Sequence, residues 1–231
     1  MIRAFLNNVH NAPPAESGAE DGRAHGPASI FGVQRIPRLD IDQIADLIPS
    51  DAAVLDLGCG RGTLLARLRS CGRRKLMGIE IGQEEVLACL RQGFDVIQAD
   101  LNLGLSAFSD SQFDYVVLSH TLQAVRDVEN LIDEMLRVGR RSIVSFPNFA
   151  YHKLRAMLYE EGKSPVSSGI LRYEWYNTPN IRFLSISDFE EFCRRRGIQV
   201  CRRIALNTEE GRVVEEDANR MADMAVFVIS R

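Results

Sequence analysis

The chain alternates between short apolar runs and longer segments in which apolar residues recur every three or four positions. Short apolar runs are typical of buried strands, and the longer period is typical of helices that pack on one face. This alternation predicts an α/β fold, a parallel sheet with helices on both faces. The predicted strands are 54–57, 75–81, 94–98, 113–119, 141–146, 198–206 and 224–230, and the predicted helices are 39–48, 63–70, 84–91, 128–138 and 187–196.

The first predicted strand ends in a glycine-rich bend. Three alternating glycines, Gly58, Gly60 and Gly62, follow the strand and its carboxylate, Asp56. Glycine permits a sharp turn and a close approach of the backbone to a ligand, because it has no Cβ. The spacing G-x-G-x-G differs from the dinucleotide fingerprint G-x-G-x-x-G, and the sequence lacks the Gly-Lys-Ser/Thr of a P-loop. The bend therefore favours a nucleotide-type cofactor site of another kind.

Acidic residues also follow the second and third predicted strands. Glu80 ends the second strand, close to the offset of roughly 20 residues at which an acid binds ribose hydroxyls in doubly wound sheets. Asp100 and Leu101 follow the third strand directly. Ligands of open α/β sheets bind at the carboxyl ends of the strands, so we expect these acids and the glycine bend to surround one ligand.

Four sequence blocks follow one another along the chain: VLDLGCGRG (54–62), GIEI (78–81), QADL (98–101) and FDYVVLSHTL (113–122). Together they resemble the class I S-adenosylmethionine-dependent methyltransferases, and the resemblance runs from about residue 38 to residue 231. It implies a doubly wound, Rossmann-like sheet of seven strands with the last strand antiparallel. It also implies S-adenosyl-L-methionine as the cofactor.

The same resemblance implies roles for individual residues. Asp56 and the first two glycines would line the amino-acid end of the cofactor, Glu80 would hold its ribose, and Asp100 with Leu101 would contact its adenine. Cys59 lies within the glycine bend, where we interpret it as a small packing residue rather than a catalytic thiolate. The expected cofactor-binding residues are Asp56, Gly58, Cys59, Gly60, Glu80, Ile81, Asp100, Leu101 and Ser119.

Three further blocks resemble the methionine-biosynthesis MetW family: LSHTLQAV (118–125), LRVGRRSIVSFPNF (136–149) and YEWYNTPNIRFLSISDFEEFC (173–193). That family is associated with the homoserine O-acyltransferase step of methionine synthesis. The resemblance therefore leaves two roles open. The protein is either a methyltransferase that acts on an unidentified small-molecule acceptor, or a non-catalytic accessory partner of homoserine O-acyltransferase. His120 departs from the expected family pattern, which has Gln at that position.

The candidate catalytic residues are His120, Tyr173 and Tyr176. An oxygen or nitrogen acceptor needs a base to take its proton, and His120 follows the fourth strand at the expected mouth of the site. The alternative is that His120 only contacts the cofactor. The two tyrosines lie in an aromatic stretch, 148–186, that we expect to cover the acceptor as a lid. The alternative is that its rings merely cover the open end of the sheet.

The composition of the chain limits the functions and sites that it can have. At 231 residues, 45% hydrophobic and a net charge of −3, the chain can bury a full core and has no basic excess for nucleic acid or anionic membranes. The sequence has no run of about 18 apolar residues to span a membrane. Its five scattered cysteines form no C-x-x-C motif, so we expect neither disulfides nor a zinc site. We therefore expect a cytoplasmic enzyme without a metal.

The first 30 residues differ in composition from the rest. They are rich in Pro, Gly, Ala and Asn and have no apolar period, which predicts a disordered N-terminal extension. A transit peptide is disfavoured, because such peptides are poor in acids and this segment holds Glu16, Glu20 and Asp21. Residues 31–231 are then expected to form a single domain, with 148–186 as an insertion on the acceptor side.

Overall fold

The computed structural model describes residues 38–166, 171 and 173–231. All of these lie in one compact unit, Ile36–Arg231. The predicted disordered extension, residues 1–30, lies outside the described residues. Within the described ranges, no helix has the length and apolar character needed to cross a bilayer.

Eight strands form a single sheet, in the order β3-β2-β1-β4-β5-β8-β6-β7. The pairs among β1 to β5 are parallel, whereas β8 lies antiparallel between β5 and β6. The predicted doubly wound sheet and its antiparallel last strand are confirmed. The strands are β1 Val54–Leu57, β2 Leu76–Glu80, β3 Asp95–Gln98, β4 Phe113–Ser119, β5 Gly139–Pro147, β6 Gln199–Asn207, β7 Arg212–Val214 and β8 Met224–Ser230.

The eighth strand corrects the expected count of seven. β7 is a three-residue strand that pairs with the end of β6 as a hairpin. A strand of this length is too short to show the alternation of apolar and polar residues by which strands are recognised in a sequence. The other seven strands lie where the sequence predicts them, to within two residues at each end.

The five predicted helices are also present within one residue of their predicted bounds, and α5 and α7 are additional. α5 continues into a π-helical turn, Met157–Glu161, and single 3₁₀ turns lie at Leu101–Leu103 and Leu122–Ala124. The helices are α1 Leu39–Leu47, α2 Thr63–Ser70, α3 Gln83–Arg91, α4 Val128–Val138, α5 His152–Ala156, α6 Ile186–Arg196 and α7 Ala218–Met221.

Apolar side chains cover both faces of the sheet. On one face, Met135 of α4 and Phe189 of α6 belong to a cluster that includes Phe146 of β5. On the other face, Ile44 of α1 and Leu65 of α2 belong to a second cluster. Because helices cover both faces, the carboxyl ends of the strands are left as the place where a ligand can bind.

The strand order reverses at β1, which lies between β2 and β4. Leu57, at the end of β1, pairs with Ile79 on one side and with Leu118 on the other. The loops after β1, β2 and β4 therefore meet at one point of the sheet edge. This is the topological switch point, where open α/β sheets form their ligand crevice.

Candidate functional site

The glycine bend after β1 is fixed against β2. The backbone N–H groups of Gly58 and Cys59 donate to the Ile79 carbonyl at 2.8 and 3.0 Å. Gly58 and Gly60 adopt positive φ angles of 69° and 53°, a region of backbone conformation that residues other than glycine rarely adopt. A Cβ at Gly58 would lie 2.8 Å from Thr121 Oγ1, whereas a Cβ at Gly60 would meet nothing within 4 Å. The bend thus packs on the β4 loop at Gly58 and leaves open space at Gly60.

The Glu80 carboxylate joins the ends of β1 and β2. Its Oε2 accepts a hydrogen bond from Gly60 N at 2.8 Å, and its Oε1 accepts from Ile81 N and Gly82 N at 2.8 and 2.9 Å. An ionised carboxylate has about four acceptor positions. One position therefore remains, on the oxygen that faces Gly60, and it suits a hydroxyl donor such as that of a ribose. The Ile81 side chain beside it is largely exposed.

Asp56 is buried at the carboxyl end of β1. Burial raises the pKa of its carboxyl group to about 8; the Arg38 guanidinium opposes this rise and the Glu80 carboxylate adds to it. A cationic ligand group next to Asp56 would favour its ionised form. Asp56 is therefore suited to bind the ammonium group of a ligand. The guanidinium of Arg38 lies near enough to act on Asp56 and is suited to bind a carboxylate of the same ligand.

The Cys59 thiol lies inside the bend and interacts with the thiol of Cys89. Burial, with the charge of Asp56, raises the pKa of Cys59 far above its ordinary value. Cys89 Sγ donates to the Gly60 carbonyl at 3.2 Å. A buried thiol that stays protonated is unsuited to nucleophilic chemistry, which favours the interpretation of Cys59 as a packing residue.

The third acid, Asp100, organises the loop after β3. The Ala99 N–H donates to the Glu80 carbonyl at 3.0 Å and brings this loop next to the end of β2. Asp100 Oδ1 accepts from the backbone and side-chain nitrogens of Asn102 at 2.9 and 2.8 Å and so begins the 3₁₀ turn. Leu101 is half-buried against the apolar core. Asn102 Oδ1 in turn accepts from Arg126 N at 2.9 Å, so the loops after β3 and β4 are in contact.

A buried network lies at the end of β4. Asp40 of α1 is fully buried and accepts from Arg38 Nε and Nη2 at 2.9 and 2.8 Å. It also accepts from Ser119 Oγ at 3.0 Å, and Ser119 Oγ in turn accepts from Ser145 Oγ at 3.1 Å. Burial acts to raise the pKa of Asp40, but Arg38, His120 and Ser119 together hold it below its ordinary value. The network fixes α1 to the strand end that carries His120.

His120 follows β4 with a φ of 53°, a strained conformation for a residue with a side chain. Its N–H donates to the Ser145 carbonyl at 3.0 Å, and its carbonyl accepts from Gln123 Nε2 at 2.8 Å. Nε2 of its ring lies 3.3 Å from Asp40 Oδ2 and 3.4 Å from Met224 Sδ. Burial lowers the pKa of His120 to about 4, because the attraction of Asp40 only partly offsets it and Arg38 lowers it further.

The imidazole is therefore neutral at pH 7. The short distance to an ionised Asp40 is best explained by a proton on Nε2, which leaves Nδ1 as the acceptor; this tautomer is inferred from the contacts. A group with a pKa near 4 has little affinity for a proton at neutral pH. His120 is thus better suited to accept a hydrogen bond than to remove a proton.

The second half of the aromatic stretch, 148–186, contacts the loop that follows β4. The N–H groups of Ile181 and Arg182 donate to the Gln123 carbonyl at 2.9 and 3.1 Å. Tyr176 is 70% exposed and its ring packs edge-on against Trp175, at 5.6 Å between centroids, and Tyr173 is also exposed. Backbone contacts and the Arg182 side chain, whose Nε donates to the Val125 carbonyl at 3.0 Å, therefore join this stretch to the loop that follows His120. The rings of the predicted catalytic tyrosines are exposed.

A family model described as "Methionine biosynthesis protein MetW" matches residues 38–229. The chain belongs to the MetW family. This match covers the whole sheet and all the site residues described above, so the family resemblance expected from the motifs is confirmed.

One curated relative is named "Bifunctional methionine biosynthesis protein MetXA/MetW", from Rhodopirellula baltica. It is 44% identical to this MetW-family chain over 203 residues, a stretch that covers 84% of this chain and 33% of the relative. The chain thus spans about a third of the length of that relative, which combines MetW with a second part.

Solved structures of S-adenosylmethionine-dependent methyltransferases share the fold. The enzyme from Mesorhizobium loti has a TM-score of 0.63 at 15% identity, over 84% of this chain and 99% of that one. The Thermotoga maritima protein, titled a possible histamine N-methyltransferase, has a TM-score of 0.58 at 18% identity, over 83% and 86% of the two chains. At this identity the likeness shows a common Rossmann-like architecture.

The sequence motifs of this MetW-family chain do not indicate two of the site residues, Arg38 and Asp40. The sequence did contain one sign that Asp40 is buried, because Asp40 lies among the apolar positions of α1 that include Ile41 and Ile44. An acid on the apolar face of an amphipathic helix needs a partner in the folded protein. The partners themselves, which come from before α1 and from the end of β4, could not be identified from local sequence.

Proposed function

We propose that this MetW-family chain binds S-adenosyl-L-methionine at the carboxyl edge of β1, β2 and β3, and that it transfers the methyl group to a small-molecule acceptor. The observation that carries the proposal is the open space at Gly60, beside the Glu80 carboxylate and in the bend that follows Asp56. A carboxylate for an ammonium group and a second carboxylate for ribose hydroxyls match the amino-acid and ribose parts of S-adenosyl-L-methionine.

The described residues fit this cofactor in chemistry. Glu80 keeps one acceptor position for a ribose hydroxyl, and Asp100 with Leu101 would contact the adenine. Asp56 would receive the ammonium group, and Arg38 supplies a guanidinium for the carboxylate of the same amino-acid end. The remaining expected cofactor-binding residues are Gly58, Cys59, Ile81 and Ser119.

When bound, the cofactor supplies a methyl group on a cationic sulfur, so the protein's main task is to hold the acceptor in line with it. An acceptor lone pair would take the methyl group, S-adenosylhomocysteine would leave as the carbon–sulfur bond breaks, and the proton of an O–H or N–H acceptor would pass to water. The low pKa of His120 supports a role in orienting the acceptor rather than in removing that proton. Tyr173 and Tyr176 remain predicted acceptor-side residues.

Calorimetric titration with S-adenosylhomocysteine tests the cofactor site. Glu80→Ala should weaken binding by about 1–3 kcal/mol, roughly 5- to 150-fold, because it removes a charged hydrogen-bond partner. Glu84→Ala is the matched control, since Glu84 is an exposed acid on α3 that forms only a long ion pair with Arg61. Binding by the unchanged protein too weak to measure would refute the proposed cofactor.

Transfer itself is tested with methyl-labelled cofactor and a metabolite extract. The protein should form a labelled small molecule, and His120→Ala should reduce the rate of its formation while cofactor binding persists. A protein that binds the cofactor tightly and labels nothing would contradict a catalytic role.

A second role is that of accessory partner to a homoserine O-acyltransferase. The name of the relative that joins MetXA and MetW in one polypeptide supports it, because fused proteins often act together. Co-elution of the two proteins, with a change in acyltransferase rate, would favour this role. Repeating the assay with Glu80→Ala distinguishes a cofactor-dependent effect from simple docking.

A further inference from the structure

A second concave site lies away from the glycine bend, between the starts of α4 and α6. Its volume is about 440 Å³, which is within the range of small-molecule sites. Leu122 and Phe189 form a buried apolar floor, and the half-buried Leu184 and Phe192 extend it. An apolar floor of this size suits the hydrocarbon part of a ligand.

Two arginines, Arg126 and Arg182, line the same cavity, and each carries a guanidinium group. Arg182 is held in place because its Nε donates to the Val125 carbonyl at 3.0 Å and its Nη2 donates to the Arg126 carbonyl. The Arg126 residue is exposed. Among residues 38–166, 171 and 173–231, no carboxylate forms an ion pair with either group. Their charges are therefore available to an anion.

The three acids that also line the cavity already have partners. Asp127 caps α4 by accepting from Asn130 N at 3.1 Å. Asp188 accepts from the backbone N–H and the hydroxyl of Ser185 at 2.9 and 2.7 Å, in the capping box of α6. Glu129 pairs with Arg196 at 2.6 Å. A helix start or an arginine partly compensates each acid, which reduces the negative charge that opposes Arg126 and Arg182.

We propose that this cavity is a binding site for a small carboxylate with an apolar body. The hydrocarbon part would lie on the Phe189 and Phe192 floor, and the carboxylate would face the two guanidinium groups, whose planar donors match it. The site is distinct from the cofactor edge. It adjoins that edge through the hydrogen bond from Arg126 N to Asn102 Oδ1 and through the loop after β4, which carries Leu122.

The test uses hexanoate as the probe and hexanol as its uncharged counterpart, with full-length ¹⁵N-labelled protein. Hexanoate should shift the amide signals of residues 122–129 and 184–192, and it should bind several-fold more tightly than hexanol. Arg126→Gln should weaken hexanoate binding about fivefold, the upper range for an exposed ion pair, and should leave hexanol binding unchanged. Arg140→Gln is the matched control, because Arg140 is an exposed arginine on β5 outside this cavity.

Val128→Glu provides a second variant that is expected to fold, since an acid is favourable in the first turn of a helix. It places a negative charge in the cavity and should abolish hexanoate binding. Equal binding of hexanoate and hexanol, or hexanoate binding that is unaffected by both variants, would overturn the proposal. So would shifts confined to residues outside the cavity. None of these outcomes depends on S-adenosylmethionine binding.

Discussion

The two halves of the proposed active site are built in different ways. On the cofactor side, the functional groups lie at or beside strand ends and are fixed by short contacts, such as the three hydrogen bonds of Glu80 and the ion pair of the half-exposed Arg38 with the buried Asp40. On the acceptor side, the stretch 148–186 holds exposed rings, with Tyr159 at 91% and Trp175 at 74% exposure.

This difference indicates a division of labour. A group shared by many reactions, such as an adenosyl cofactor, can be held by a rigid sheet edge whose geometry is set by strand pairing. The acceptor differs between enzymes, and variable loops commonly provide that specificity. We therefore expect substitutions at the sheet edge to change stability and cofactor affinity together, and substitutions at the exposed rings of the aromatic stretch to change neither.

The largest effect is expected from Gly58→Val. The variant combines a left-handed backbone with a Cβ that would lie 2.8 Å from Thr121, and it should lower the free energy of unfolding by about 3 kcal/mol. Chemical denaturation measures this loss. Gly93→Val is the matched control, because Gly93 has a similar φ of 74° but open space around its Cβ. Equal losses in the two variants would mean that contact with the β4 loop is unimportant.

Asp40→Asn should have the next largest effect and lower the free energy of unfolding by about 2 kcal/mol. It leaves a buried amide where Arg38 and His120 face a carboxylate, although the partial exposure of Arg38 limits the effect. Asp42→Asn, which changes an exposed acid on the same helix, should cost at most about 0.5 kcal/mol. Because folding lowers the pKa of Asp40, its contribution is complete above about pH 4 and is lost as the pH falls through the folded-state pKa. Urea denaturation at pH 7 and at several pH values below 4 separates these effects, because the difference between the unchanged protein and Asp40→Asn should shrink only in the acidic range.

Asp56 should make cofactor affinity depend on pH. With a pKa of about 8, the carboxyl group is mostly protonated at pH 6.5, and an ammonium ligand binds its ionised form better. Affinity for S-adenosylhomocysteine should therefore rise roughly tenfold between pH 6.5 and pH 8. Calorimetry on Asp56→Asn gives the control, since that variant should lose most of the rise. A flat profile for the unchanged protein would show that Asp56 does not contact the ammonium group.

The smallest effect is expected from Tyr176→Phe. The residue is exposed, so its hydroxyl should contribute less than about 0.5 kcal/mol to stability and nothing to cofactor affinity. If the tyrosine acts on the acceptor, the rate of labelled-product formation should still fall. Thermal melting, calorimetry and the labelling assay together decide this. A drop in cofactor affinity would remove the contrast between the two halves of the site.

The cofactor half was the more predictable part of this chain. Asp56, Glu80 and Asp100 could be placed together from sequence because parallel strands deliver their carboxyl ends to one edge, and seven strand positions follow from apolar runs. The same reasoning could not give the environment of His120. Burial and the charge of Arg38 lower the pKa of His120 and Asp40 opposes them, and these residues approach His120 only through tertiary packing.

The periodicity of apolar residues also failed to predict the short elements. α5, with its π-helical turn, and the β7 hairpin are too brief to establish a period, so a stretch predicted only as a lid contains a helix. The position of α5 depends on contacts with distant residues, such as the ion pair of Lys153 with Glu209. A single sequence holds no direct record of such contacts.

The position of β8 has a consequence for how the chain folds. β5 and β6 are joined only through this strand, so residues 139–147 keep an unpaired edge until residues 224–230 have been inserted. Closure of the sheet is thus a non-local event, of the kind that slows folding and leaves intermediates prone to associate through their open edges. Substitutions that weaken β8 should accordingly reduce the yield of folded protein before they alter the ligand sites.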